Sequence, residues 1–166
     1  MYLENEHISM KPIVITGGPG AGKTTLLNAL ARQGYATFAE SSRTLIEQQS
    51  QLDDGILPWT NLPEFAQLCL DLMSKQKSDA RCHDVAFVDR AIPDIIAYLQ
   101  VGGCKVDQAF LTESAGYHSQ VFTCRPEASI YVQDEVRPHS FEEALEIHQS
   151  LVDIYAELGY EVVEVP

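Results

Sequence analysis

Short apolar runs alternate along the chain with longer stretches in which apolar positions recur every three or four residues. Residues 13–16 form the first run and read as a strand. Residues 23–33 carry helical spacing and are stopped by Gly34. Residues 35–39 read as a second strand, 41–50 as a second helix and 53–59 as a loop. Asn61 followed by Glu64 is a capping-box signature that opens a long helix to about Arg81. Residues 85–89 show no apolar/polar alternation, which predicts a strand buried on both faces. Short helices are expected near 93–101 and 106–114, separated by Gly102 and Gly103, and a fourth strand at 120–124. Ser140 with Glu143 caps a helix whose Phe141, Ala144, Leu145, His148, Leu151, Val152 and Tyr155 form one stripe. Gly159 ends it, and 161–165 is the last strand. Strands alternating with helices predict βαβ units on a parallel sheet, hence a three-layer α/β/α sandwich.

A length of 166 residues fits one domain with a sizeable core, expected over 10–166 after a disordered lead-in at 1–9, with Met10 as an alternative start. No apolar run approaches the roughly 18 residues of a membrane span, and the N-terminus has neither the basic nor the apolar region of a signal peptide. Cys69, Cys82, Cys104 and Cys124 form no CxxC pair, and the His139/His148 spacing fits no metal motif. Reduced, mostly buried thiols in a cytoplasmic protein are the expectation. The net charge of −13 disfavours nucleic acid and anionic membrane as partners. With only 11 Lys and Arg, the positions of the cations carry information.

Gly17, Gly18, Pro19, Gly20, Ala21, Gly22, Lys23 and Thr24 match G-x-x-x-x-G-K-[ST] between an apolar strand and a helix, with Thr25 following. Glycines let backbone N–H groups wrap phosphates, the lysine reaches the β and γ oxygens, and the Thr24 hydroxyl is placed for Mg²⁺. ATP is the expected nucleotide. No N-K-x-D stretch occurs, which removes one guanine-reading device and leaves GTP open. Asp89 ends an apolar strand, as an acid that holds Mg²⁺ does. The next residue is Arg90, where motor-type ATPases place a glutamate. An Asp-Arg pair resembles nucleoside and nucleotide kinases, the alternative being a surface ion pair. Glu40, after the second strand, is a candidate base for an acceptor hydroxyl, expected across an open pocket from Lys23, or else a helix N-terminal acid. Arg125, and Arg137 in "QDEVRPHS", stand where a lid closes over phosphates; Arg43 adds another cation near this edge. Residues 35–42 and 56–59 are candidate acceptor walls, with Trp59 either a stacking surface or a hydrophobic plug.

The ordered set "IVITGGPGAGKTTLLNAL", "FAESSRTLIE", "LPW", "FVDRAIPDIIAYL", "DEVR", "EEAL" and "YAELGYEVVEVP" resembles the P-loop AAA-domain family related to the NadR-type kinase domain, over nearly the whole chain. The resemblance implies a kinase-like P-loop fold and nucleotide binding without fixing an acceptor. Relatives continue past the final "VP" into a short helix that this sequence lacks, an ending that leaves the core less covered and favours self-association, with monomer and homodimer both open. Two functions follow: a small-molecule phosphotransferase using ATP and Mg²⁺, or a nucleotide-dependent regulatory NTPase without an acceptor.

Overall fold

The computed structural model describes residues 11–18, 22–127 and 140–165; the lead-in, Pro19, Gly20, Ala21 and Arg137 lie outside them. The strands are β1 (Ile13–Gly17), β2 (Ala36–Phe38), β3 (Ala86–Asp89), β4 (Gln120–Cys124) and β5 (Glu161–Val165). The helices are α1 (Lys23–Arg32), α2 (Ser41–Gln49), α3 (Leu62–Ala80), α4 (Ile92–Val101), α5 (Gln108–Glu113) and α6 (Phe141–Glu157). The strands form one sheet in the order β2-β3-β1-β4-β5, every pair parallel.

Register decides what meets at the carboxyl edge. Ile15 lies opposite Asp89, and Gly17 opposite Cys124. The ends of β1, β3 and β4 therefore reach that edge together, where ligands of open α/β sheets bind. The chain crosses here only because residue 17 is glycine. Its φ is 148°, and a Cβ would come 2.1 Å from the Cys124 carbonyl oxygen.

Strand alternation divides the core into two faces. Val14, Val88 and Val121 pack with α3, α4 and α6 through Phe65, Leu70, Ile92, Ile96, Leu151 and Tyr155. Ile15, Phe87, Phe122 and Cys124 meet Leu27 and its neighbours on α1. This is the three-layer sandwich the sequence pattern predicts. At the start of α6 the capping box forms as expected, Ser140 Oγ and Glu143 exchanging bonds. The box expected at Asn61 is half made: Asn61 Oδ1 accepts the Glu64 N–H at 3.2 Å, while the Asn61 N–H donates to the Leu57 carbonyl instead of to Glu64. β2 is shorter than expected, covering Ala36–Phe38. Tyr35 drops out of its start and packs edge-to-face on Phe87. On α6 the buried stripe includes Ile154, while Phe141, Leu145 and Val152 are only partly covered.

Candidate functional site

The strand that starts the site ends in glycine, and the helix that follows opens without an acid. Gly22 takes the left-handed conformation (φ 78°) as the residue before α1, and no Asp or Glu occupies the first turn of that helix. The helix's positive end is thus left for an anion. Lys23 is its first residue, and Thr24 and Thr25, next along it, are exposed.

Lys23, which the motif places at a surface crevice, is 8% exposed. Its Nζ lies 2.6 Å from Asp89 Oδ1 and 3.7 Å from Glu40 Oε2. Glu40 Oε1 in turn accepts from Arg90 Nε at 3.2 Å and from the Ser42 hydroxyl at 2.8 Å. Glu40 therefore does not face Lys23 across an open pocket; it bridges Lys23 and Arg90. These side chains come from the ends of β2 and β3 and the start of α1. Arg43, exposed on α2, adds its field at Glu40.

Charge balance explains the protonation states. Burial alone would raise the Glu40 pKa. Arg90, Lys23, the Ser42 bond and Arg43 outweigh it and hold the carboxyl at about 2. Asp89 goes the other way: burial pushes its pKa up, and Lys23 only partly offsets that. Burial also opposes the charge on Arg90, but Tyr98, Glu40, Asp94 and Asp89 keep it firmly protonated.

Arg90 is no surface ion pair. Its side chain is buried and its φ is 65°, the one positive value outside glycine among the described residues. Its N–H continues the ladder to the Ile15 carbonyl at 2.9 Å. Such a backbone costs on the order of 1–3 kcal/mol and persists only where the surroundings fix it. Asp94 fixes it. Asp94 Oδ2 meets Arg90 Nη1 at 3.1 Å and the Thr16 hydroxyl, while Oδ1 accepts from the Ala91 N–H at 3.1 Å and the Tyr155 hydroxyl.

Sequence reasoning missed Asp94. The signal was present: it is the one charged residue in the apolar α4, four positions after Arg90. It also missed His148 as more than a core residue. His148 Nδ1 accepts the Gly18 N–H at 3.3 Å, an interaction across the fold that no local pattern announces.

The remaining expected residues divide. Arg125 is exposed just beyond β4, close enough to His148 to act on its charge. Arg137 is outside the described residues. Trp59 is 69% exposed, so it is not a hydrophobic plug. Tyr35 precedes β2, at the amino edge of the parallel sheet, and so does not line this edge as an acceptor wall.

Fold and edge together define a P-loop kinase-like α/β protein. A family model described as AAA domain matches residues 12–166, and the chain belongs to that family. Among solved structures it is similar to a NadR protein in complex with NR, with a TM-score of 0.67 and 21% identity, over 95% of this chain and 44% of that one. It thus spans less than half of that protein's length. It is also similar to deoxyadenosine kinase from M. mycoides, with a TM-score of 0.61 and 17% identity, over 93% of this chain and 90% of that one. For thymidylate kinase from Ehrlichia chaffeensis the TM-score is 0.55 and the identity 18%, over 93% of each chain. None of the curated proteins matches.

Proposed function

We propose that the protein transfers the γ-phosphoryl group of ATP to a small acceptor of nucleoside, nucleotide or vitamin-like size. One observation carries this reading: Lys23, Asp89, Glu40 and Arg90 meet within ion-pair distance at the carboxyl edge, in a chain of net charge −13. A phosphate reader needs its few cations gathered at one point, and here they are interleaved with the acids that a metal and an acceptor hydroxyl require. The kinases of similar fold support the reaction class.

The donor set suits Mg²⁺. A hydroxyl and a carboxylate are hard oxygen ligands, and Mg²⁺ is ordinarily held by one or two such groups plus substrate phosphates. Thr24 and Asp89 would hold it. Among the described residues no group of three His, Cys, Asp or Glu is arranged as an all-protein cage. When bound, Mg²⁺ neutralises charge on the phosphates.

The chain's own residues then act as follows. Lys23 exchanges its carboxylate partners for phosphate oxygens. Glu40, oriented by Ser42 and Arg90, accepts the proton of the acceptor hydroxyl as that oxygen bonds to the γ-phosphorus and the β–γ bridging bond breaks. Its low pKa makes it a carboxylate at every working pH. Withdrawal of Lys23 toward phosphate raises its basicity when it is needed. Arg125 and Arg137 are proposed to supply positive charge to the developing oxyanions.

Four free cysteines fit a reducing, cytoplasmic setting. No helix among the described residues is long and apolar enough to cross a membrane. The acidic surface disfavours nucleic acid. Incubation with labelled ATP, Mg²⁺ and a panel of nucleosides, nucleotides and vitamin precursors tests the reading. Fast transfer to one compound supports it. Slow hydrolysis with no labelled product favours a regulatory NTPase instead.

A further inference from the structure

At the start of the phosphate-binding loop, Gly17 is set against the sheet and Gly18 against α6. A Cβ at Gly18 would come 2.6 Å from the Ala144 carbonyl oxygen and 3.0 Å from His148 Cβ. Gly18, which opens the loop, therefore lies flush against one turn of that helix. There the Gly18 N–H donates to His148 Nδ1 at 3.3 Å. An imidazole nitrogen accepts only when it carries no proton, so this bond specifies the neutral ring with its proton on Nε2.

His148 is 3% exposed. The charged groups that act on it come from three other elements: Glu164 on β5, Arg125 after β4 and Arg90 after β3. Burial is the largest influence and disfavours the imidazolium. Glu164 favours it, and both arginines oppose it. Two helical turns further on, Tyr155 of the same helix bonds Asp94. One face of α6 thus touches both the loop and the side chain that holds Arg90.

We propose that His148 is a positioning residue for the phosphate-binding loop: its neutral Nδ1 fixes the Gly18 amide, and protonation of the ring releases the loop and weakens nucleoside triphosphate binding. The inference rests on the functional reading above, in which this loop holds ATP. An imidazolium presents N–H at both nitrogens, so two donors would face each other across the Gly18 contact, and either the ring or the loop must turn away. The new positive charge would by itself attract phosphate. The two effects have opposite signs, so the direction of the pH dependence decides between them.

His148→Asn keeps an acceptor oxygen near the place of Nδ1 and does not titrate. Mg·ATP affinity is measured by calorimetry from pH 7.5 to 5 in the wild type, in this variant and in His148→Ala. Taking wild type relative to His148→Asn cancels the protonation of ATP itself. The expected result is affinities equal within about twofold at pH 7.5, then a wild-type loss approaching tenfold per pH unit once the pH is well below the ordinary histidine value of about 6.5. His148→Ala should bind more weakly throughout, without the additional fall. A constant ratio, or tighter wild-type binding in acid, overturns the inference.

Amide exchange at Gly18 in the protein without nucleotide gives a second readout. Acidification should lower protection, corrected for intrinsic exchange, in the wild type and not in His148→Asn. Equal protection overturns the inference even if affinities differ. If His148→Ala does not fold, the asparagine variant and the exchange data decide. A wild type that binds no ATP at pH 7.5 sinks the functional reading, and the Gly18 exchange then decides the loop-positioning role alone.

Discussion

The Arg90 guanidinium and the Asp94 carboxylate pair at 3.1 Å across one helical turn, with Asp94 fully buried. Neither group acts alone. Asp94 also receives Thr16, Tyr155 and the Ala91 N–H, and Arg90 extends to Glu40. A buried pair returns its desolvation cost only when every lone pair and proton is used. This network comes close to that condition, and it holds Arg90 in a left-handed backbone.

Asp94→Asn should therefore be costly although it is nearly isosteric. It leaves the Arg90 charge without its nearest buried partner, a defect worth roughly 3–5 kcal/mol. Tyr155→Phe removes one hydroxyl and should cost about 1–2 kcal/mol. Urea unfolding measures both. An Asp94→Asn loss below about 1 kcal/mol would show that the network is not what holds Arg90.

Lys23→Ala should weaken ATP binding by roughly tenfold to a hundredfold, the worth of one or two charge-assisted bonds to phosphate. It should not be silent for the fold. Lys23 is buried against Asp89 at 2.6 Å, and its removal strands a carboxylate whose pKa burial already raises. A loss of about 1–3 kcal/mol in stability is expected. Unchanged affinity by calorimetry would remove the loop from the functional reading.

The site was legible in the sequence where chemistry follows local order. The glycines, Lys23 and Thr24 sit in one motif, and Asp89 and Arg90 end an apolar strand. The sheet was legible because its strands are apolar runs bounded by helical periodicity. Distances across the fold were not. That Glu40 bridges Lys23 and Arg90 depends on β2 pairing with β3, which sets Phe38 beside Val88. The contact of His148 with Gly18 depends on α6 packing against β1. Trp59 was ambiguous for a different reason: an aromatic in a loop has no periodicity to say which way it faces.

Asp89→Asn separates the metal from the lysine. With Mg²⁺ present, ATP binding and turnover should fall, because the carboxylate acts through the ion. In EDTA the sign should change or vanish. Lys23 loses a charged partner that competes with phosphate, so affinity should stay level or rise by a few fold. Titrations with and without Mg²⁺ check this, and equal losses in both would assign Asp89 a structural role.

Acid stability should report Glu40. Its folded pKa, about 2, lies below the ordinary 4.5, so the unfolded chain takes up the proton first. The stability this carboxylate contributes is complete above about pH 4.5 and is lost as the pH falls toward 2. The shift corresponds to about 3 kcal/mol. Glu40→Gln should lack this loss, so the two proteins' unfolding free energies should converge between pH 5 and pH 2. Parallel curves would mean that the pairs with Lys23 and Arg90 do not form in solution.

The same substitution distinguishes a phosphotransferase from a regulatory NTPase. In the proposed reaction Glu40 takes the acceptor's proton, so Glu40→Gln should cut transfer by roughly 10²–10⁴-fold, the usual worth of a positioned base. ATP affinity should not fall, since Glu40 pulls Lys23 away from phosphate at 3.7 Å rather than holding the nucleotide. At least one of Arg125→Ala and Arg137→Ala should slow transfer as well, because positive charge at the developing oxyanions acts on the barrier more than on binding. A protein that only hydrolyses ATP as a switch needs no acceptor hydroxyl deprotonated, and Glu40→Gln would then leave its slow hydrolysis nearly unchanged. Single-turnover rates with saturating Mg·ATP and the acceptor found by screening decide the matter. A full transfer rate in Glu40→Gln removes Glu40 as the base and leaves it a positioning partner of Arg90.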